Sequence, residues 1–238
     1  MAGHSKWANI KHRKDRSDKK KGKIFTRVMK ELISAVRQGG PDPKSNAKLR
    51  VAIQKAKDAN VPNDNVERNI KKASSEGGED YTEMTYELYG FGGVGILVDV
   101  LTDNKNRIAS EIRIATNKCG GTIATPGAVA YNFDRKGVIR IAKENAKEDE
   151  LFLLASESGA EDFSVDDEGY VVIAPVDACL QIKASLEQAG IRCQEASLEM
   201  IPKTWIEVTD EVADQNIALI EWLENLDDAD AVFHNMKI

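Results

Sequence analysis

Cysteine is scarce and unpaired in this sequence. Cys119, Cys179 and Cys193 lie far apart and none belongs to a CxxC pair, which excludes a disulfide framework or zinc ribbon and fits a reducing cytoplasm. Histidine is as rare. His4 and His12 sit among lysines that repel a metal ion and His234 stands alone, so neither a metal nor a cofactor is expected. No apolar run approaches the roughly 20 residues that span a bilayer, and the basic N-terminus has no signal-peptide apolar core, so membrane insertion and export are not expected. Walker A, HExxH and GxSxG motifs are absent. The carboxylates of 144–168 and 207–230 have no His or Lys placed beside a pair to tune them. Catalysis has no anchoring residue, and the chain is expected not to be an enzyme.

What is present is a soluble-protein balance of 42% hydrophobic and 30% charged residues over 238 positions, enough for one to three domains. The net charge of -6 conceals an asymmetry. Residues 1–80 carry 20 Lys+Arg against 10 Asp+Glu, and the remaining 158 carry 13 against 29. An excess sustained over that length, facing an acidic remainder, points to a polyanion-binding lobe that docks one-endedly.

Residues 3–23, GHSKWANIKHRKDRSDKKKGK, have no helical or strand period and read as an extended basic arm carrying Lys6, Lys11, His12, Arg13, Lys14, Arg16, Lys19, Lys20, Lys21 and Lys23. Trp7 has two readings: a stacking platform for a base and, the commoner role, an anchor of the arm to its own core. From Ile24 the period becomes helical. Ile24, Phe25, Val28, Met29, Leu32, Ile33, Ala35 and Val36 share one arc, while Arg27, Lys30, Glu31, Ser34 and Arg37 share the other. Gly39-Gly40-Pro41 stops this helix, and Asp42-Pro43 is expected to cap the next, over about 44–59. There Lys44, Lys48 and Lys55 fall within about 40° of one another, a stripe suited to phosphate. Asp64 with Glu67 resembles a capping box for a third helix, and residues 74–80 read as a hinge.

Residues 82–90 and 94–102 read as a hairpin, followed by a helix capped at Asp103-Asn104 and a short strand over 129–133. Then comes a βαββαβ rhythm: strand 138–142, helix 147–157, strands 161–165 and 170–174, helix 176–188 and strand 193–200. This is the ferredoxin-like pattern. Cys179 and Ala189 take inward positions on its second helix, and Cys193 opens its last strand. A strand, helix and strand remain over 204–236 and are expected to rejoin the 82–133 strands. The fold class is therefore α+β in three domains: a basic helical bundle (1–80), a discontinuous α/β domain (81–134 plus 203–238) and an inserted ferredoxin-like domain (135–202). Gly90-Phe91-Gly92-Gly93-Val94-Gly95 matches G-x-G-x-x-G, but a strand follows where a dinucleotide loop needs a helix N-terminus, so it reads as a β-turn.

GHSKWANIKHRK at 3–14, KKGKIFTRVMKELISAVRQGG at 20–40, SNAKLRVAIQKAKDANVPNDNVERNIKKA at 45–73, LTDNKNRIASEIR at 101–113 and FDRKG at 133–137 closely resemble the YebC/PmpR family over essentially the whole chain. The resemblance implies a three-domain fold with a basic helical first domain. It also implies a cytoplasmic bacterial transcriptional regulator that binds DNA, while mitochondrial relatives look like translational activators and bacterial ones have been linked to the ribosome. The sequence departs from the family at Leu88 and Phe91, where glycine and proline are usual, which is expected to loosen the hairpin or alter a contact there.

Three readings follow. One is a DNA-binding transcriptional regulator that grips the duplex backbone, although no helix clusters Arg, Asn or Gln at its N-terminal end for base readout. The second is a translation factor lodged on ribosomal or transfer RNA, with the ribosome as partner. The third is a protein-interaction adaptor whose basic segment packs on its own carboxylates. Oligomeric state is not legible.

Overall fold

The computed structural model describes residues 17–74, 81–165 and 169–237, with side chains from Ile24 onward except Asp58. Helices α1 (Ser17–Gly39), α2 (Ala47–Asp58) and α3 (Asn63–Ser74) pack around Leu32, Leu49 and Ala56. The first helix starts at Ser17, so the arm is not extended through Lys23. Lysine is a good helix former, and the ladder continues N-terminally without an apolar period to announce it. Ile24 and Phe25 share the apolar arc yet remain 46% and 38% exposed, whereas Ser34, placed on the outer arc, is buried.

Gly40, at φ +84, ends α1. Asn46, rather than Asp42, caps α2. Its Oδ1 accepts the Leu49 N–H at 3.0 Å while its Nδ2 donates to the Ala35 and Gly40 carbonyls at 2.7 and 2.8 Å, so one buried amide closes both helices. Asp42 instead accepts the Lys44 N–H in the preceding turn, which leaves Lys44 outside the helix. Asp64 lies inside the first turn of α3, where Pro62 O takes the Asn65 and Val66 N–H groups, so it is not the cap. The 75–80 part of the expected hinge lies outside the described residues.

Strands β1 (Thr82–Tyr89) and β2 (Gly95–Thr102) form the hairpin, followed by α4 (Lys105–Cys119), capped by Asn104, and β3 (Thr122–Ile123). The inserted unit comprises β4 (Phe133–Ala142), α5 (Glu148–Glu157), β5 (Asp162–Val165), β6 (Gly169–Ala174), α6 (Cys179–Gln188) and β7 (Glu195–Pro202). The tail adds β8 (Ile206–Glu207), α7 (Asp210–Glu224), β9 (Ala229–His234) and β10 (Met236–Lys237). One sheet has the order β3-β1-β2-β9, with α4 and α7 packed on Leu88, Ile96, Val98 and Val100. The second has the antiparallel order β5-β6-β4-β7, that of a ferredoxin-like unit.

The expected short strand at 129–133 is instead a 3₁₀ turn, and β4 runs unbroken from Phe133 because Phe133 is buried and pairs Pro202. Gly137 sits mid-strand where a Cβ would stand 2.4 Å from Cys179 Cβ. Helix α6 begins at Cys179, after a turn in which Ala178 N–H donates to Pro175 O. Ala189 is exposed beyond its end, and Cys193 precedes β7, half-buried against the core. Two asparagines clamp the strands entering and leaving the inserted unit. Asn132 exchanges hydrogen bonds with Thr204, and Asn235 bridges Thr204 O and Gly95 N–H.

Candidate nucleic-acid interface

Lys6, Trp7, Lys11, His12, Arg13, Lys14 and Arg16 lie outside the described residues. Lys19, Lys20, Lys21 and Lys23 fall on the first turns of α1, whose side chains are likewise outside them. The remaining five candidates do not form one outward stripe. Lys55 Nζ stands 2.7 Å from Glu31 Oε2, and Lys48 Nζ donates to Gln38 Oε1 at 2.6 Å, so both turn into the seam between α1 and α2. Lys44 is exposed on the preceding turn.

Arg27 and Lys30 reach the acidic tail. Arg27 pairs Glu31 at 3.2 Å one turn on and lies against the Asp230 carboxylate. Lys30 Nζ meets Asp228 Oδ1 at 2.6 Å, donates to Asp227 O at 3.0 Å and lies 5.8 Å from the Tyr81 ring centroid. Two carboxylates of the acidic remainder are therefore counter-ions of α1.

Asp228 gathers further donors. Arg107 Nη2 and Nε reach its Oδ2 at 2.5 and 3.2 Å, and Thr102 Oγ1 donates to the same oxygen at 2.8 Å. Burial pushes this carboxyl up, but the hydrogen bonds from Lys30, Arg107 and Thr102 outweigh it and hold it below the ordinary aspartate range. Asp230 shifts the other way, since burial outweighs the nearby Arg27. Burial and the Asp228 charge likewise raise Glu111, and Asp228 holds the Arg107 guanidinium well above its usual range.

Within the described part of the helical domain, Lys44, Lys57, Arg68 and Lys71 are exposed cations without an ion-pair partner, and Lys48 meets only the neutral Gln38 amide. Lys57, Arg68 and Lys71 were missed by sequence reasoning. Their signal was weak: Arg68 and Lys71 are spaced i, i+3 on α3 but are interleaved with Asp64 and Glu67. Arg50 spends its donors on the Pro43 and Lys44 carbonyls, which leaves its charge uncompensated.

The glycine motif proves to be a turn bonded to α7. Gly92 and Gly93 take φ +66 and +81, and Asn216 Oδ1 accepts the Phe91 N–H at 2.8 Å while its Nδ2 donates to Phe91 O at 3.1 Å.

Family models for the TACO1/YebC N-terminal domain and for the TACO1/YebC second and third domain match residues 5–76 and 81–236. This chain belongs to the TACO1/YebC family. Similar chains include the probable transcriptional regulatory protein pc1328 of Protochlamydia amoebophila, 63% identical over 100% of this chain and 97% of that one. The probable transcriptional regulatory protein CTL0717 of Chlamydia trachomatis serovar L2 is 56% identical over 99% and 100%. The crystal structure of the conserved hypothetical protein Aq1575 from Aquifex aeolicus matches with a TM-score of 0.86 at 39% identity, over 98% and 97%. The two departures from the YebC pattern, Leu88 and Phe91, are both packed into the structure. Leu88 is fully buried in the sheet core, and the Phe91 ring fills the space above Gly120.

Proposed function

We propose that this YebC-family chain is a non-enzymatic regulatory protein of the cytoplasm that binds nucleic acid through the phosphate backbone with its helical domain. The observation that carries this reading is the set Lys44, Lys57, Arg68 and Lys71: exposed cations held on folded helices and turns, none of them in an ion pair among the described residues. The names of the bacterial relatives favour transcriptional regulation on DNA. A second reading, structured RNA on or off the ribosome, is favoured by one feature of α3. Asp64 and Glu67 interrupt its outward cations, which disfavours major-groove base readout and suits recognition by shape and phosphate.

Affinity of the full chain for duplex DNA, structured RNA and intact ribosomes at one salt concentration ranks the targets. Replacing Lys57, Arg68 and Lys71 together by glutamine is expected to flatten the salt dependence on duplex DNA by up to about 2.7, at ~0.9 per phosphate contact. An unchanged slope removes these side chains from the interface.

A further inference from the structure

The helical domain has an apolar core of its own, and none of its residues belongs to the clusters around either sheet, whereas Leu97 and Phe233 of the second domain share a cluster with Phe133 of the inserted unit. Charge joins α1 to the second domain, through Lys30 with Asp228 and Arg27 with Asp230.

Breaking a buried ion pair is ordinarily expensive because it orphans the charge left behind. Here the left-behind charge is provided for. Asp228, whose side chain is 2% exposed, keeps Arg107 and Thr102 when Lys30 departs, and its backbone stays pinned by the Leu101 N–H to Asp228 O bond. Arg27 and Glu31 stand one turn apart on α1 and part from the second domain together, so the guanidinium keeps Glu31, which also holds Lys55, when it leaves Asp230. Asp230 has Arg27 at its carboxylate, and burial already favours its neutral form, so a proton can replace the lost guanidinium. The two α1 cations are therefore more easily withdrawn than buried pairs of this geometry usually are. Arg27, with 44% of its side chain exposed, is reachable from solvent in the closed arrangement.

We propose that the Lys30–Asp228 and Arg27–Asp230 contacts form a latch released by polyanion: phosphates of a bound nucleic acid replace the two carboxylates as counter-ions of α1 and free the helical domain from the second domain. The inference rests on the nucleic-acid-binding reading for its physiological ligand, but the latch itself is a property of the fold. In the closed state the acidic tail acts as an internal competitor. A polyanion drives release only insofar as it binds the open state more tightly than the closed one, which two additional cations provide.

The test uses the full chain and two readouts. Small-angle scattering is expected to show expansion on adding inorganic polyphosphate, beyond any change caused by sodium chloride of equal ionic strength. Lys30→Gln, which leaves Asp228 with Arg107 and Thr102, is expected to be expanded without added polyanion. The isosteric pair Asp228→Asn with Asp230→Asn is expected to bind a short DNA duplex about 5-fold more tightly or better. Absence of expansion with polyphosphate and in Lys30→Gln overturns the latch. So does an unchanged or weakened affinity of the double variant while wild type binds the duplex. Expansion by polyphosphate in a chain that binds no nucleic acid upholds the latch and overturns the proposed function instead.

Discussion

Glu87 is a buried carboxylate that fastens a loop. Its Oε1 accepts the Gly127 N–H at 2.5 Å, and its Oε2 accepts the Val129 and Ala130 N–H groups at 2.6 and 2.8 Å. In Glu87→Gln the side chain keeps one acceptor oxygen and turns an amide donor toward the other site. With that oxygen kept on Val129 and Ala130, the N–H of the exposed Gly127 loses its acceptor and the surviving bonds lose their charge. Charge-assisted bonds contribute about 1.5–3 kcal/mol and neutral ones about 0.5–1.5 kcal/mol, and the Gly127 donor can turn to water, so the variant is expected to lose about 1–3 kcal/mol. At about 2–4 °C per kcal/mol for a chain of this size, the thermal midpoint falls by roughly 2–12 °C.

The pH dependence follows with a definite sign. Burial raises the Glu87 carboxyl, but the three N–H donors outweigh it and leave it below the ordinary glutamate range. Its stabilisation is complete above that ordinary range and is lost as pH falls through its folded-state value. Urea titrations of wild type and Glu87→Gln from neutral pH to acid are therefore expected to show a gap that closes as the pH drops. A gap that stays constant throughout, or one below about 0.5 kcal/mol at neutral pH, refutes the reasoning.

Gly120→Ala is expected to destabilise by about 1–3 kcal/mol, because the position has φ +83 and the new Cβ would stand 2.2 Å from Phe91 Cζ. Adding Phe91→Ala should recover part of that loss in a double-mutant cycle, and strictly additive losses contradict the clash. Asn235→Ala strips the Gly95 N–H and the Thr204 carbonyl of a partner, so a loss of about 1–3 kcal/mol is expected, with faster hydrogen exchange at the Gly95 amide. Undiminished Gly95 protection would show that Asn235 does not clamp the domain connection.

The alternation of helices and strands was legible because each element carries its own period. Val28, Leu32 and Val36 mark the buried face of α1, and the βαββαβ rhythm announces the ferredoxin-like order. Periodicity marks a face without saying what lies opposite it, which is why Ile24 and Phe25 share the apolar arc and still meet solvent. Helix ends were less legible. Asp42 and Asn46 are both good N-caps, and the choice fell to Asn46 because its amide also reaches carbonyls at the end of α1, a geometry absent from local sequence.

The candidate interface divides in the same way. Composition alone determined that the first 80 residues hold a cation excess and the remainder a carboxylate excess, since charge is additive along a chain whatever its fold. Which cations keep an unneutralised charge was decided by tertiary structure. Lys30 and Asp228 stand 198 positions apart, and no spacing rule couples them. Coulomb energy depends on separation in space and on burial, so only the packing of α1 beside the start of β9 could decide that Lys30 is paired and Lys57, Arg68 and Lys71 are not.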